Sequence, residues 1–280
     1  MIAAIYVILA LSLNLVVGYT GLLSITHAAF YGIGAYAVAI LSTTYHLNFF
    51  VAMLIGIMVA TLTALALGVV LGKFRDDYYA LVSFGFNIIA YSIFINWTNL
   101  TRGPLGIPGI RRPEIFDWVL RSNFYFLILC VLLVALVYFI VNRVTRCPFG
   151  RALKAIREDE EALSVFGYNT ARFKMISFAL SAGLASIAGA LLASYITFID
   201  PSTFTLNESI FILAIVIMGG LADLRGSILG AVILVILPEA LRFLGLPENQ
   251  AANLRLAFYG LVLIILMFVR PQGLLGKYKM

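Results

Sequence analysis

The first 72 residues, Met1 to Gly72, contain no lysine, arginine, aspartate or glutamate. A soluble domain is about a quarter charged residues, and a stretch this long without charge cannot build a surface that water will wet. It has to lie in hydrocarbon. The remainder agrees: 62% of the chain is hydrophobic and only 11% charged, with a mean hydropathy of +1.04. The net charge of +6 would suit nucleic acid on its own. The basic residues, however, cluster in short loops between apolar runs, as membrane orientation requires, so no nucleic-acid partner is expected.

A spanning helix takes about 20 apolar residues. Such runs lie at 2–18, 28–44, 49–72, 79–96, 122–141, 175–199, 208–221, 227–243 and 254–269. The expected fold is all-α, a polytopic membrane helical bundle of about nine spans forming a single domain over 1–280, with lipid around it. The first run has no positive n-region and no small-residue cleavage site, so it reads as a retained span.

Two uncharged or nearly uncharged stretches break the apolar runs with glycine and polar residues. One runs from Asn14 through Gly18, Gly21, Ser24 and His27 to Tyr36, the other from Met218 through Gly220, Asp223 and Gly226 to Gly230. Irregular backbone at membrane depth is tolerated only where protein or water satisfies it, and paired glycine-interrupted segments point to a translocation site. Their placement toward opposite ends of the chain suggests a weak internal repeat. Gly18, Gly32 and Gly34 read as close-packing positions. Asn14, Ser24 and His27 read as facing a substrate pathway, since polar residues in spans usually face the interior. The rims of Phe30 and Tyr31 stand beside them, and Asn87 and Tyr91, four apart on one helix face, complete the wall. His27 has no carboxylate or cysteine near it in sequence, which favours packing or hydrogen bonding over metal binding. Cys130 and Cys147 are too few for a disulfide framework or a metal site.

The most charged stretch is Asn142 to Lys174, with seven of the 19 basic and four of the 13 acidic residues. Pro148 opens a helical pattern carrying Leu153, Ile156, Leu163 and Phe166, and Gly167 stops it. One or two short amphipathic helices are expected outside the bilayer, presenting apolar side chains to another protein, with Gly167 at positive φ. Glu161-Ala162-Leu163, followed after three residues by Gly167, resembles the Glu-Ala-Ala-x-x-x-Gly coupling loop of ABC-importer permeases. The longer run Gly150 to Tyr168 resembles the version in the branched-chain amino-acid permeases, the LivM-like subunits above all, as do Gly18 to Tyr36 and the tail Arg270 to Gly276. The Ile-x-Leu-Pro that continues the general importer pattern is replaced by Ile176-Ser-Phe-Ala, so only the docking role is carried over. The resemblance implies ATPase coupling through Arg151, Lys154, Glu158, Glu161, Ala162, Leu163 and Gly167.

If Asn142 to Lys174 is cytoplasmic, so are the Lys73–Arg75 turn, the Arg225 turn and the carboxyl-terminal tail. That places 13 of the 19 basic residues inside, as the positive-inside rule prefers, and puts the amino terminus outside. The loop from Trp97 to Arg121 then lies outside. It carries Arg102, Arg111, Arg112 and Arg121, and a turn-rich Gly103 to Gly109 that resists regular helix. It reads either as a docking surface for a solute-binding protein, the arginines pairing with its carboxylates, or as an ordinary solvated loop. Glu208, Glu239 and Arg242 sit at span ends.

Gly68 to Phe74 has the wrong spacing for a phosphate loop and no Ser/Thr after Lys73, and no catalytic constellation is present. No cofactor is expected in this chain, and ATP and Mg would be bound by separate subunits. The resemblance implies a non-catalytic permease subunit of an ABC importer in a bacterial or archaeal plasma membrane. It would work with a second related permease, two ABC ATPase subunits and an external solute-binding protein, and move branched-chain or other amino acids. Importers of urea and short amides share the family. An ion-coupled carrier would place ionisable groups at the midplane, where only His27 is available.

Overall fold

Hydrocarbon leaves helix as the way for a single segment to satisfy its own backbone, and the computed structural model is helical wherever the sequence is apolar. It describes residues 1–74, 76–115, 118–119, 122–242, 260, 268 and 272–276. The helices are α1 (Ile2–Thr20), α2 (His27–Thr43), α3 (Phe49–Leu71), α4 (Asp76–Asn96), α5 (Thr98–Thr101), α6 (Asn123–Arg146), α7 (Pro148–Glu158), α8 (Glu160–Val165), α9 (Thr170–Ile196), α10 (Leu206–Gly219) and α11 (Leu224–Arg242). Among the described residues, α1, α3, α4, α6 and α9 are long and apolar enough to cross a membrane, and α2, α10 and α11 supply shorter apolar helices. Eight of the nine expected spans are thus present as helices. The ninth, 254–269, lies outside the described residues except at 260 and 268, and Arg75, Asp117, Arg121, Arg270 and the last four residues lie outside them too.

Two helices form the centre. In their most apolar windows α9 is 83% buried and α1 78%, against 28% for α3 and α4. α9 is rich in small residues, Ala179 to Ala190 containing Ala, Ser and Gly at most positions. That lets α2 approach it backbone to backbone: a Cβ on Gly34 would overlap the Ser186 main chain, and one on Gly189 the Tyr31 carbonyl. Small-residue faces of this kind hold membrane helices together by close van der Waals contact.

Contacts between helix ends define two faces. The end of α3 lies beside the start of α9, Gly68 against Met175 and Gly72 against Ala171. α7, α8, the Lys73 turn and the α10–α11 turn share this face. On the opposite face β1 (Ile107–Pro108) pairs antiparallel with β4 (Phe198–Ile199), and β2 (Glu114–Ile115) with β3 (Trp118–Val119). These two-residue pairings leave the chain all-α in class. The turn-rich Gly103 to Gly109 forms a short 3-10 turn at Gly103–Leu105 and then β1.

The charged stretch holds the two short helices expected of it, but the spans on either side reach further than the sequence predicts: α6 continues to Arg146 and α9 begins at Thr170. The pair is thus mounted directly on the ends of two long helices.

Candidate functional site

α1 ends at Thr20, with Gly21 left-handed at φ 74, and the chain runs without helix through residues 21–26 before α2 begins. α2 starts deep in the bundle: His27, in its first turn, meets Ser12, which lies half-way along α1, at 3.0 Å through Nε2. The same nitrogen meets Ser181 of α9 at 3.3 Å. The first N–H groups of a helix have no partners within it, and each left bare in hydrocarbon costs several kcal/mol. Hydroxyls from other spans supply acceptors here. Ser83 of α4 accepts from the Ile25 N–H at 3.1 Å, and Ser209 of α10 accepts from the Ala28 N–H at 2.9 Å. The broken segment is therefore tied at once to α1, α4, α9 and α10.

The expected pathway residues fall into this region in different states. Ser24 is buried and shares a 2.9 Å hydrogen bond with Thr26. Asn14 is buried and fully engaged: its Nδ2 donates to the Asp223 carbonyl at 3.0 Å and to Ser227 Oγ at 2.6 Å, and its Oδ1 accepts from the Ala222 N–H at 3.0 Å. The first break thereby clasps the second, and no part of the Asn14 amide is left to offer a solute. Phe30 is buried between Phe86 and Phe178, and Tyr31 packs edge-on to Phe204. Asn87 is only 1% exposed, yet neither its Oδ1 nor its Nδ2 has a partner, and His27 Nδ1 is likewise unpaired. Tyr91, one turn beyond Asn87 on α4, is half-buried.

The second part of the site is the helical pair on the face shared with the α10–α11 turn. Pro148 occupies the first turn of α7, where a missing N–H costs nothing. Asp159 separates α7 from α8 and caps the latter, its Oδ1 accepting from the Ala162 N–H at 2.9 Å. Gly167, at φ +84, then turns the chain toward α9. The apolar residues divide differently from the expectation. Leu153 and Ile156 are buried against the protein's own helices, because α7 lies flat across the ends of α1, α6 and α9. The apolar side chains left in the open are Val165, 85% exposed, and Phe166, 79% exposed. Leu163 is half-buried and lines a cleft with Phe149, Ala152, Ala155, Tyr168 and Phe173, with Arg151 at its margin. Glu158, Glu161 and Ala162 are exposed around it.

The two parts are joined. Arg157, in the last turn of α7, donates a hydrogen bond to the Gly18 carbonyl, and Lys154 stands 5.5 Å from the centre of the Tyr19 ring. Both cations lie at the carboxyl end of α1, where its dipole is negative. They hold the last turn before the break.

On the opposite face Arg102 and Arg111 are exposed. Arg112 donates to Asn123 Oδ1 at 3.2 Å. Their loop is pinned by β1–β4 and by the Ile110 N–H, which donates to the Thr197 carbonyl.

Residues 1–267 match the model for branched-chain amino-acid transport system permease components. The chain belongs to this family. It is 38% identical to the "High-affinity branched-chain amino acid transport system permease protein LivM" of Escherichia coli, over 97% of this chain and 68% of that one. Against the "Probable branched-chain amino acid transport permease protein LivM" of Methanocaldococcus jannaschii the figure is 26%, over 97% and 90%. Against the "High-affinity branched-chain amino acid transport system permease protein LivH" of Escherichia coli it is 28%, over 97% and 91%. No solved structure matches the chain.

In this branched-chain permease several residues that build the site carry no motif. Arg157 belongs to the charged stretch but differs from its neighbours only in its partner, 139 residues away. Lys174 is 2% exposed and pairs with Glu160 at 2.5 Å, fastening α8 to α9. Ser12, Ser83, Ser181 and Ser209 are single hydroxyls within apolar runs, and only their recurrence at buried positions could have marked them.

Proposed function

We propose that the chain is the membrane-spanning subunit of an ATP-driven importer that passes branched-chain amino acids. Its α7–α8 pair is gripped by an ATPase subunit in the cytoplasm, and the broken segment between α1 and α2 forms part of the gate. The observation that carries this reading is the direct link from α7 to the last turn of α1 through Arg157. A knob from the ATPase entering the cleft around Leu163, with Val165 and Phe166 against it, would pull on α7 and so on the turn ahead of Ser24 and His27. The basic residues favour placing this face inside, and Arg102, Arg111 and Arg112 then face an external binding protein that selects the solute. Urea and short amides are the competing cargo. A second related permease completes the pathway, and ATP and Mg stay with the ATPase subunits.

The deciding experiment is reconstitution with the ATPase and binding protein. Leucine, isoleucine and valine uptake, together with hydrolysis stimulated by loaded binding protein, is the expected result. Uptake without any associated ATPase, or of urea in preference to leucine, would overturn the reading.

A further inference from the structure

α10 and α11 are parted by Gly220 to Asp223, and α10 does not finish on its own residues. A helix leaves its last four carbonyls without partners inside it, and a chain that turns back commonly supplies them. Gly220 donates to the Val216 carbonyl and then, at φ 110 and ψ 133, carries the chain away. The Ala222 N–H goes to Asn14 Oδ1 instead. Two of the remaining carbonyls are met from far along the chain. The Leu274 N–H donates to the Met218 carbonyl at 2.9 Å, and the Leu275 N–H to the Gly219 carbonyl at 3.2 Å.

The contact is main chain against main chain. A Cβ on Gly220 would overlap Gly276, and one on Gly273 would stand 2.7 Å from the Gly220 Cα. Gly273 is itself at φ +76, so a side chain there would be strained as well as obstructed. Leu274 packs against the core, while Leu275 is 45% exposed. Under this cover Met218, Gly219, Gly220 and Leu221 are buried. The same stretch is held by Asn14 through Ala222, Asp223 and Ser227. Asn14 lies one turn before Gly18, whose carbonyl Arg157 holds. The segment 273–276 and α7 are therefore joined to one clasp from two ends.

We propose that residues 273–276 are a strap that positions the second break, Leu274 and Leu275 fixing the end of α10 so that the α10–α11 turn gives Asn14 an unyielding seat. Its part in coupling rests on the transport reading, and the restraint itself does not. With the strap in place, a pull on α7 through Arg157 meets a break that cannot give way and passes to the segment between α1 and α2. Without it the α10–α11 turn yields and the pull is lost.

The test is amide hydrogen exchange on the complete transporter, paired with ATP hydrolysis and leucine uptake in proteoliposomes. Leu275→Pro deletes one donor at an exposed position. It should speed exchange across residues 218–227 about fivefold, the worth of one neutral hydrogen bond. Ending the chain after Pro271 deletes both donors and should speed it at least about tenfold. Should that shorter chain fail to assemble, the proline variant decides. Exchange in the middle of α9 should not change, and a chain ended after Gly276 should match the unaltered one. Uptake per ATP hydrolysed should fall about fivefold in Leu275→Pro, with ATPase co-purification intact. Unchanged exchange at 218–227 in the proline variant overturns the strap. Faster exchange with an unchanged ratio of uptake to hydrolysis would mean a cap on α10 alone, and overturns its part in positioning the gate. An unaltered transporter without ATP-driven leucine uptake would sink the transport reading, and the exchange result would still decide the restraint.

Discussion

The Arg157 guanidinium donates to the main-chain carbonyl of Gly18, joining the end of α7 to the last turn of α1. A hydrogen bond from a charged donor contributes about 1.5–3 kcal/mol. This one ends two residues before the helix gives way to the irregular segment. It ties α7 directly to that turn.

Arg157→Ala should leave the subunit inserted and the ATPase bound, and lower transport per ATP hydrolysed by about tenfold, the equivalent of ~1.4 kcal/mol. Arg157→Lys, which keeps the charge but offers a single point donor, should recover part of it. Parallel measurement of hydrolysis and uptake in proteoliposomes checks this, and an unchanged ratio in the alanine variant removes the strut.

The Lys174–Glu160 pair predicts a sign pattern. Lys174 is almost fully buried while Glu160 keeps 16% of its side chain open to solvent, so removing the lysine should cost less than breaking a fully buried pair, where the loss is about 3–5 kcal/mol. Lys174→Met should lower the unfolding temperature of the purified protein and open α8 to protease. Adding Glu160→Gln should restore most of the loss, and a double variant no better than the single one would show that the pair does not act as a unit.

Gly167 has open space around the position of a Cβ, so only its backbone angle resists substitution. Gly167→Ala should cost about 1 kcal/mol and mildly weaken ATPase association. Gly167→Pro, with φ locked near −65°, should abolish substrate-stimulated hydrolysis. Co-purification and hydrolysis assays report both, and full activity in the proline variant would detach α8 from coupling.

Asn14 and Asn87 are both buried asparagines in apolar spans, and they should respond oppositely to leucine. Asn14→Leu strands the Ala222 N–H and should destabilise by about 1–3 kcal/mol. Asn87→Leu removes two unpaired polar atoms and should stabilise the fold by a similar amount, while uptake falls if α4 contacts the solute. Thermal unfolding of the two variants side by side is the check. Destabilisation by Asn87→Leu would reveal a partner for its amide.

Hydrophobic run length made the spans legible in the sequence, and Pro148 and Gly167 bounded the helical pair because each imposes a backbone constraint of its own. The division of α7–α8 into inward and outward apolar residues was not legible. Leu153 and Phe166 look alike in a periodic pattern, and only the ends of α1, α6 and α9 beneath α7 bury one and leave the other bare. Asn14 shows the same limit. Its polarity marked it as facing the interior, which it does, but its partners Ala222 and Ser227 come from the far end of the chain. Local sequence shows that an amide must be satisfied without showing by what.

That separation also sets an order of events during synthesis. Asn14 waits for a partner 208 residues downstream, which at about 5–20 residues per second is roughly 10–40 s of translation. Throughout that interval α1 has left the ribosome with its amide unclasped, and the hydroxyls of Ser83, Ser181 and Ser209 arrive one after another to receive the segment behind it. The most buried span of the amino-terminal half is thus the last to be finished. The insertion machinery, or early-made neighbours standing in for late ones, has to shelter it until α10 and α11 close the clasp.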